Sequence, residues 1–493
     1  MTDAIDAKIQ RLRTGKVMRV MDLFSGCGGI SLGFQKAGYS ISAAVEIDEF
    51  AARSHALNFY RSQDTETVAK HARPRDITVT EPEELIAEYG LGDVDSCIDV
   101  LVGGPPCQAY ARVGRAKLRE IADHPTAFKV DPRGNLYLRY LHYVDRLKPL
   151  AVLMENVPDI LNYGGHNVVE EIREALEAKG YVAGYSLLNS AHYGVPQMRD
   201  RVFLIAFHKR LGLKVSFPRA TRWWPLPSGY EGTRAVALKH VDPETGGYHA
   251  PDLGTADLPR AVSAADALRD LPAITLHLEG KLKRGARRFT ELSRYRPDVE
   301  PSDYARVLRN WPGFASRDGV CDHVIRFLPR DGRIFREMKG GDEYPAAHAV
   351  AMRLCLEDFA RLARQKGRPL TEAEKQDHMR RTVPPYTTDS FPNRWWKLKA
   401  DEPVRTLMAH IGKDTYSHIH YDSAQERVIS VREAARLQSF PDGFVLSGTM
   451  NPAFRQIGNA VPPLMAFQLA KHMRDRMTAA LASEEMVKAT AAA

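Results

Sequence analysis

The chain has 493 residues, 44% of them hydrophobic and 26% charged, which is too long for one ordinary core and matches the make-up of a globular protein of two or three domains. A net charge of +8 and a pI near 9.1 favour a polyanionic partner only weakly. Three features turn the reading away from membranes and disulfide scaffolds: no apolar run nears the roughly 20 residues of a span, the start lacks an apolar signal core, and five cysteines (Cys27, Cys97, Cys107, Cys321, Cys355) contain no CxxC pair. A cytoplasmic protein is expected.

In chain order, Val17–Met21, Ile41–Val45, Ile98–Val102 and Leu150–Met154 are short apolar runs that read as buried strands, with longer periodic stretches between them. Val168 to Lys179 carries apolar residues near a 3.6 period and stops at Gly180, so it reads as a helix. Tyr181–Leu188 and Arg201–Phe207 read as two closing strands. This alternation predicts an α/β fold, a doubly wound, mostly parallel sheet with helices on both faces. From about residue 210 Pro and Gly become frequent, periodicity weakens, and all five tryptophans (Trp223, Trp224, Trp311, Trp395, Trp396) appear. Lys281 to Arg288 is a dense basic cluster. Ser430 and Glu433 form a capping-box pattern ahead of a helix, and a last helix is expected over Leu464–Met477. The expected domains are 15–210, completed by 450–478, and an irregular 211–449, with 1–14 and 479–493 as flexible tails.

The densest chemistry follows the third apolar run. Gly103-Gly104-Pro105-Pro106-Cys107-Gln108 forces an abrupt turn, so Cys107 falls on a loop at the carboxyl end of a strand. That edge of an open α/β sheet is where ligands bind, and a cysteine held there is a candidate nucleophile. Asp22-Leu-Phe24-Ser-Gly26-Cys-Gly28-Gly29 follows the first strand and opens a helix. Ser31 stands where a dinucleotide fingerprint has its third glycine, which speaks against a pyrophosphate. Glu46 ends the second strand about twenty residues on, placed for a ribose diol. The combination suits an adenosine-containing cofactor without a diphosphate, such as S-adenosylmethionine. Glu155, after the fourth run, is a candidate general acid or base, and Arg199 and Arg201 alternate into the last strand, pointing the same way.

With these motifs in order, the chain resembles the bacterial DNA (cytosine-5) methyltransferases, nearly end to end. Asp22-Leu-Phe24-Ser-Gly26 looks like the family's first cofactor motif, Glu46 its ribose-binding acid, and Asp76-Ile77 its third motif, contacting the adenine amine. Pro106-Cys107-Gln108 matches the catalytic loop, Glu155-Asn156-Val157 the catalytic acid motif, Gln197-Met-Arg199-Asp-Arg201 the eighth, and Leu437 to Pro441 the ninth. Arg455 to Pro463 matches the tenth, whose Asn459 returns to the cofactor site. Tyr110-Ala111 departs from the family's usual Phe-Ser, and the long middle region offers no readable motif.

The resemblance implies that the Cys107 thiolate adds to cytosine C6, Glu155 holds N3 and the exocyclic amine, Arg199 holds O2, and Arg201 orients the acid, with Gln108 beside the nucleophile. C5 then takes a methyl group from S-adenosylmethionine, leaving S-adenosylhomocysteine, and no metal is required. The base must be flipped out of double-stranded DNA. The implied cofactor residues are Phe24, Gly26, Gly28, Glu46, Ile47, Asp76, Ile77, Pro106, Leu136, Asn459 and Ala460. Region 211–449 is then the recognition part, with Lys281, Lys283, Arg284, Arg287, Arg288, Arg380, Arg381 and Arg394 suited to phosphate. The expectation is a cytoplasmic, nucleoid-associated monomer on DNA, serving restriction-modification or phage defence, without a membrane. A tRNA cytosine-5 methyltransferase, a non-catalytic DNA-binding relative and a nicotinamide dehydrogenase are the rivals. The large middle region, the intact Cys107, Glu155 and Arg199, and the missing third glycine disfavour them in turn.

Overall fold

The computed structural model describes residues 3–106, 136–242, 247–281, 290–389, 392–412 and 416–492. Two compact units divide the chain: Met1–Ala261 with Val445–Ser447 and Ala460–Ala493, and Val262–Phe444 with Gly448–Asn459.

The first unit is built on a six-stranded sheet. Its strands are β1 (Arg19–Leu23), β2 (Ser40–Val45), β3 (Val100–Gly103), β4 (Ala151–Asn156) and β5 (Tyr181–Asn189). A two-residue β6 (Gln197–Met198) then precedes the sixth sheet strand, β7 (Asp200–His208), and the order across the sheet is β2-β1-β3-β4-β7-β5. The pairs among β2, β1, β3 and β4 are parallel, and β7 runs antiparallel to both β4 and β5. Both faces are covered, which is why the strands read as unbroken apolar runs. Met21, Leu101, Val152 and Leu204 face one core with Tyr140, Val144 and Ile172. Val20, Val100, Leu153 and Ile205 face the other, with Ile30, Phe34, Met465 and Leu469.

Two expectations about the ends change. Residues 4–13, expected within a flexible tail, form helix α1 (Ala4–Arg13), with Ile5, Ile9 and Leu12 buried in the second core. Lys8 fixes this helix, its buried Nζ donating to the carbonyls of Leu147 and Lys148 at 2.6 and 2.7 Å. A period-3.6 apolar stripe was there to be read, but alternating charges masked it. The last helix is longer than expected, Pro463–Ala492. Segment 211–261, read as part of the recognition region, belongs to the first unit: Val215 and Phe217 pack into its second core, and Trp223 bonds through its backbone with Pro259 and Ala261.

The second unit holds more regular structure than its irregular texture announces. A 23-residue helix, Tyr344–Lys366, and a capped helix, Glu372–Thr382, accompany a short parallel pair, Trp395–Lys397 with Tyr416–Ile419. Phe335, Tyr344, Ala351, Trp395 and Ile419 form its core. The expected capping box at Ser430 and Glu433 is present and opens helix Val431–Leu437. Around that helix the interior is ionic: Arg436 pairs with Asp270 and Asp442 at 2.5 and 2.6 Å, and Arg427 with Glu433 at 2.6 Å. Of the tryptophans, Trp311 and Trp395 are core, and the other three are half-buried.

Candidate active site

Strand register brings the candidate residues to one edge. Leu23 pairs with Gly103, and Gly103 with Met154, so Phe24 and Gly104 leave the sheet level with Glu155, which is still paired with Phe203 of β7. Because β7 is antiparallel, its beginning lies at this same edge: Asn156 pairs with Val202, which places Arg201 just beyond.

Glu155 is the centre of this edge. Its Oε1 accepts from Arg201 Nε at 2.9 Å, and both side chains are nearly buried, at 12% and 13% exposure. Burial raises the Glu155 pKa, while the positive charges of Arg201 and Arg199 pull it back. The result is a carboxyl poised closer to protonation than a surface glutamate, a state suited to proton sharing with a base ring. A Cβ on Gly104 would lie 2.9 Å from Glu155 Oε2, so a side chain there would displace the acid from its place beside Arg201. Asn156 Nδ2 donates to Pro105 O at 2.8 Å and pins the same turn from below. Cys107 and Gln108 lie outside the described residues.

The arginines differ from the strand-face expectation. Arg199 sits in the break between β6 and β7, with its carbonyl accepting from Ser190 N at 2.9 Å, and Arg201 is in β7. Both nonetheless act on Glu155. Arg199 is fully buried and donates through Nη2 to Ala460 O at 3.2 Å, so the tenth-motif segment buttresses the eighth. Burial and the neighbouring Arg201 depress its pKa, and Glu155 opposes them.

The cofactor candidates cluster around the loop after β1. Phe24 has φ 56°, a left-handed conformation uncommon for a bulky residue, and Gly26 and Gly28 have φ 54° and 103°. Glu46 bridges this loop to the next helix, α3 (Glu49–Phe59): Oε2 accepts from Gly26 N at 2.8 Å and Oε1 from Asp48 N at 2.7 Å. Burial raises its pKa against those two donors. Each oxygen keeps a lone pair for a diol, and the adjacent Ile47 is 66% exposed, an apolar surface suited to a purine face. Ile77 is buried, and its carbonyl accepts from the buried Arg139 Nε at 2.8 Å. Exposed Asp76 closes an Asx turn on Thr78, and its backbone follows Arg75, whose N–H donates to Glu46 O at 2.6 Å. Pro106 is exposed, and Leu136 is half-buried at the start of helix Leu136–Leu147. Ala460 belongs to this unit, and Asn459 ends a helix of the second. The residue set therefore fits an adenosyl group.

Two features escaped sequence reasoning. Gly29 and Gly33 serve packing: a Cβ on Gly29 would meet Val461 O at 2.2 Å, and one on Gly33 the Ala466 backbone at 2.5 Å, so they admit the C-terminal segment against helix α2 (Gly29–Lys36). Ser31, in the place of the third fingerprint glycine, donates to the buried Asp22 Oδ2 at 2.6 Å and lies 3.0 Å from His55 Nε2. Burial pushes Asp22 up to about 7. The serine was visible in the sequence, but its partners, from other elements, were not.

Known proteins resemble this chain in sequence and fold. The family model for C-5 cytosine-specific DNA methylase matches residues 18–475. The Oceanobacillus iheyensis protein named "Putative type II methyltransferase M.OihORF3336P" is 37% identical over 93% of this chain and 96% of its own length. Type II methyltransferase M.AgeI of Thalassovita gelatinovora is 28% identical over 93% of this chain and 99% of its own. A solved structure of a prophage-encoded Escherichia coli protein, 22% identical, superposes with a TM-score of 0.56 over 94% of this chain and 99% of that one, a likeness of fold. A family model matched over residues 18–475, with a relative 37% identical over nearly the whole of both chains, means that this protein belongs to the C-5 cytosine-specific DNA methylase family and is a DNA (cytosine-5) methyltransferase.

Proposed function

We propose that the chain methylates C5 of a cytosine flipped out of a specific duplex sequence, with S-adenosylmethionine as donor, in a restriction-modification or related defence setting. The relatives' type II names support that setting. The observation that carries the chemistry is Glu155, buried at the sheet edge against Arg201 and level with the Gly104-Pro105 turn that leads into Cys107.

Cytosine C5 is a poor nucleophile until a thiolate adds at C6. Cys107 supplies that thiolate, forming the S–C6 bond and moving an electron pair toward C5 and N3. Glu155, with its raised pKa, shares a proton with N3 and accepts from the exocyclic amine, so the displaced charge does not build up on the ring. Arg199 faces O2, and Arg201 holds Glu155 in one orientation. When bound, the cofactor would supply an electrophilic methyl group on a sulfonium, and Phe24, Gly26, Glu46, Ile47 and Asp76 would hold it. Loss of the C5 proton then expels Cys107 and restores the aromatic ring.

Bisulfite sequencing of DNA from a methylation-free host expressing the chain tests the reading and reveals the target. Cys107→Ala and Glu155→Gln should both leave the DNA unmethylated, while S-adenosylmethionine still raises their melting temperature. Turnover by Cys107→Ala above about one per cent of the parent would refute covalent addition by that residue.

A further inference from the structure

We propose that Tyr230 and Arg234 are positioning residues for catalysis, holding the Met198–Arg201 segment so that its arginines meet Glu155. The proposal rests on the functional reading above and assigns a task to a helix outside every recognisable motif.

The helix is Ser228–Ala237. Tyr230 and Arg234 are four residues apart and so share one face. Arg234 clamps the Asp200 carboxylate with two bonds, Nε to Oδ2 at 2.9 Å and Nη2 to Oδ1 at 2.7 Å. A planar guanidinium on a carboxylate in this double geometry fixes orientation as well as distance. Asn189 Nδ2 completes the cage, donating to Asp200 Oδ1 at 2.7 Å. Tyr230 donates its hydroxyl to Met198 O at 2.6 Å. The two contacts therefore bracket Arg199, one on each neighbouring residue.

From there the path to the acid is short. Arg201 Nη1 donates to Asp200 O at 2.7 Å, and its Nε reaches Glu155 at 2.9 Å. Arg234 thus sets Asp200, Asp200 sets the Arg201 guanidinium, and Arg201 sets Glu155. The helix also ties to the other catalytic strand: Asn162 Nδ2, in the turn that follows Glu155-Asn156-Val157, donates to Val236 O at 2.9 Å. One short helix spans the continuations of both strands whose ends form the acid–arginine pair. Its opposite face, Glu231, Gly232, Ala235 and Val236, is exposed, while Tyr230 also packs against the small apolar cluster of Ala191, Met198 and Ala261, so the docked face combines apolar contact with these directional bonds.

The test compares Arg234→Met, Tyr230→Phe and Arg234→Lys with Glu231→Ala on the exposed face, using tritiated S-adenosylmethionine and bacteriophage DNA grown in a methylation-free host. Arg234→Met should lower kcat roughly ten- to hundredfold, since a misplacement of about 1 Å is enough. KM for the cofactor should stay within about twofold, because the affected contacts stabilise only the reacting base. The acid-linked limb of the kcat profile should move to higher pH, because the Arg201 charge that holds the Glu155 pKa down is loosened. Arg234→Lys, keeping the charge but not the fork, should fall between, and Glu231→Ala should match the parent. An unmoved pH limb in Arg234→Met would overturn the proposal, whether or not kcat and stability fell. If Arg234→Met does not fold, Tyr230→Phe decides alone: it removes one hydroxyl, and an unchanged kcat sinks the idea. Turnover by Glu155→Gln would instead refute the acid assignment itself.

Discussion

Replacing Gly33 with alanine adds one methyl group, and its effect depends on how closely α2 meets the C-terminal helix. The new Cβ would sit 2.5 Å from the Ala466 carbonyl carbon, the Ala466 Cβ and the Phe467 nitrogen. None of these atoms can rotate away, so the helices must part by about 1 Å to restore ordinary contact. Overpacking of this kind costs about 3 kcal/mol at the upper end, and alanine's better helix propensity returns about 1 kcal/mol, leaving a net loss of about 2 kcal/mol. Gly232 is the control. It is also helical, but a Cβ there meets nothing within 4 Å, so Gly232→Ala should stabilise by about 0.5–1 kcal/mol. Thermal melts of both variants at one pH read the result: Gly33→Ala should fall by about 4 °C while Gly232→Ala rises. A rise in both would refute the close approach. The catalytic consequence is measurable too, since the segment that enters the parted helix includes Ala460, whose carbonyl accepts from Arg199 Nη2.

Two further outcomes follow from buried charges. Asp22 has its pKa raised from 3.8 to about 7, so its contribution to stability is full below its unfolded value and is lost as pH climbs toward 7; Asp22→Asn should therefore gain stability over the parent between about pH 5 and 8, and a melting difference flat with pH would refute this. Glu433 is 1% exposed and accepts from Arg427 Nη1 and Nη2 at 2.6 and 2.8 Å, so Glu433→Gln leaves a buried guanidinium without its counter-charge and should cost about 3–5 kcal/mol in urea titrations at pH 7, a loss under about 1 kcal/mol counting against it.

What could be read in advance was whatever depends on neighbours in sequence. The strands were legible because each is a short run buried on two faces, and the Ser430 cap because its box spans only four residues. The adjacency of Glu155 to the Gly104 turn was legible as well, since parallel strands in one sheet share a carboxyl edge. The rest depends on partners far apart in the chain. Arg436 could not be matched with Asp270 and Asp442, because nothing in a sequence tells a solvated arginine from one neutralised inside a core. Nor could Tyr230 or Arg234 be found: each donates to the chain about thirty residues away, and Gly229 and Gly232 weaken the signal of the helix that carries them. The boundary near residue 210 misled for a similar reason, since a change of texture marks loss of periodicity and not loss of contact with the first core.

The backing of the cofactor loop by the C-terminal helix has a consequence for how the enzyme is born. Tyr39 donates to Ala470 O and Arg474 to Ala37 O, contacts that span more than four hundred residues. A ribosome releases the sheet strands first, and α2 can pack on them, yet its outer face has no partner helix until residues near 466 have cleared the exit tunnel. Until then Gly29 and Gly33 present a bare groove, and Arg199 lacks the carbonyl of Ala460. The loop that opens the sheet's first crossover is therefore finished only by chain made some four hundred residues later, so its final geometry is a late event of folding whatever the sheet has already achieved.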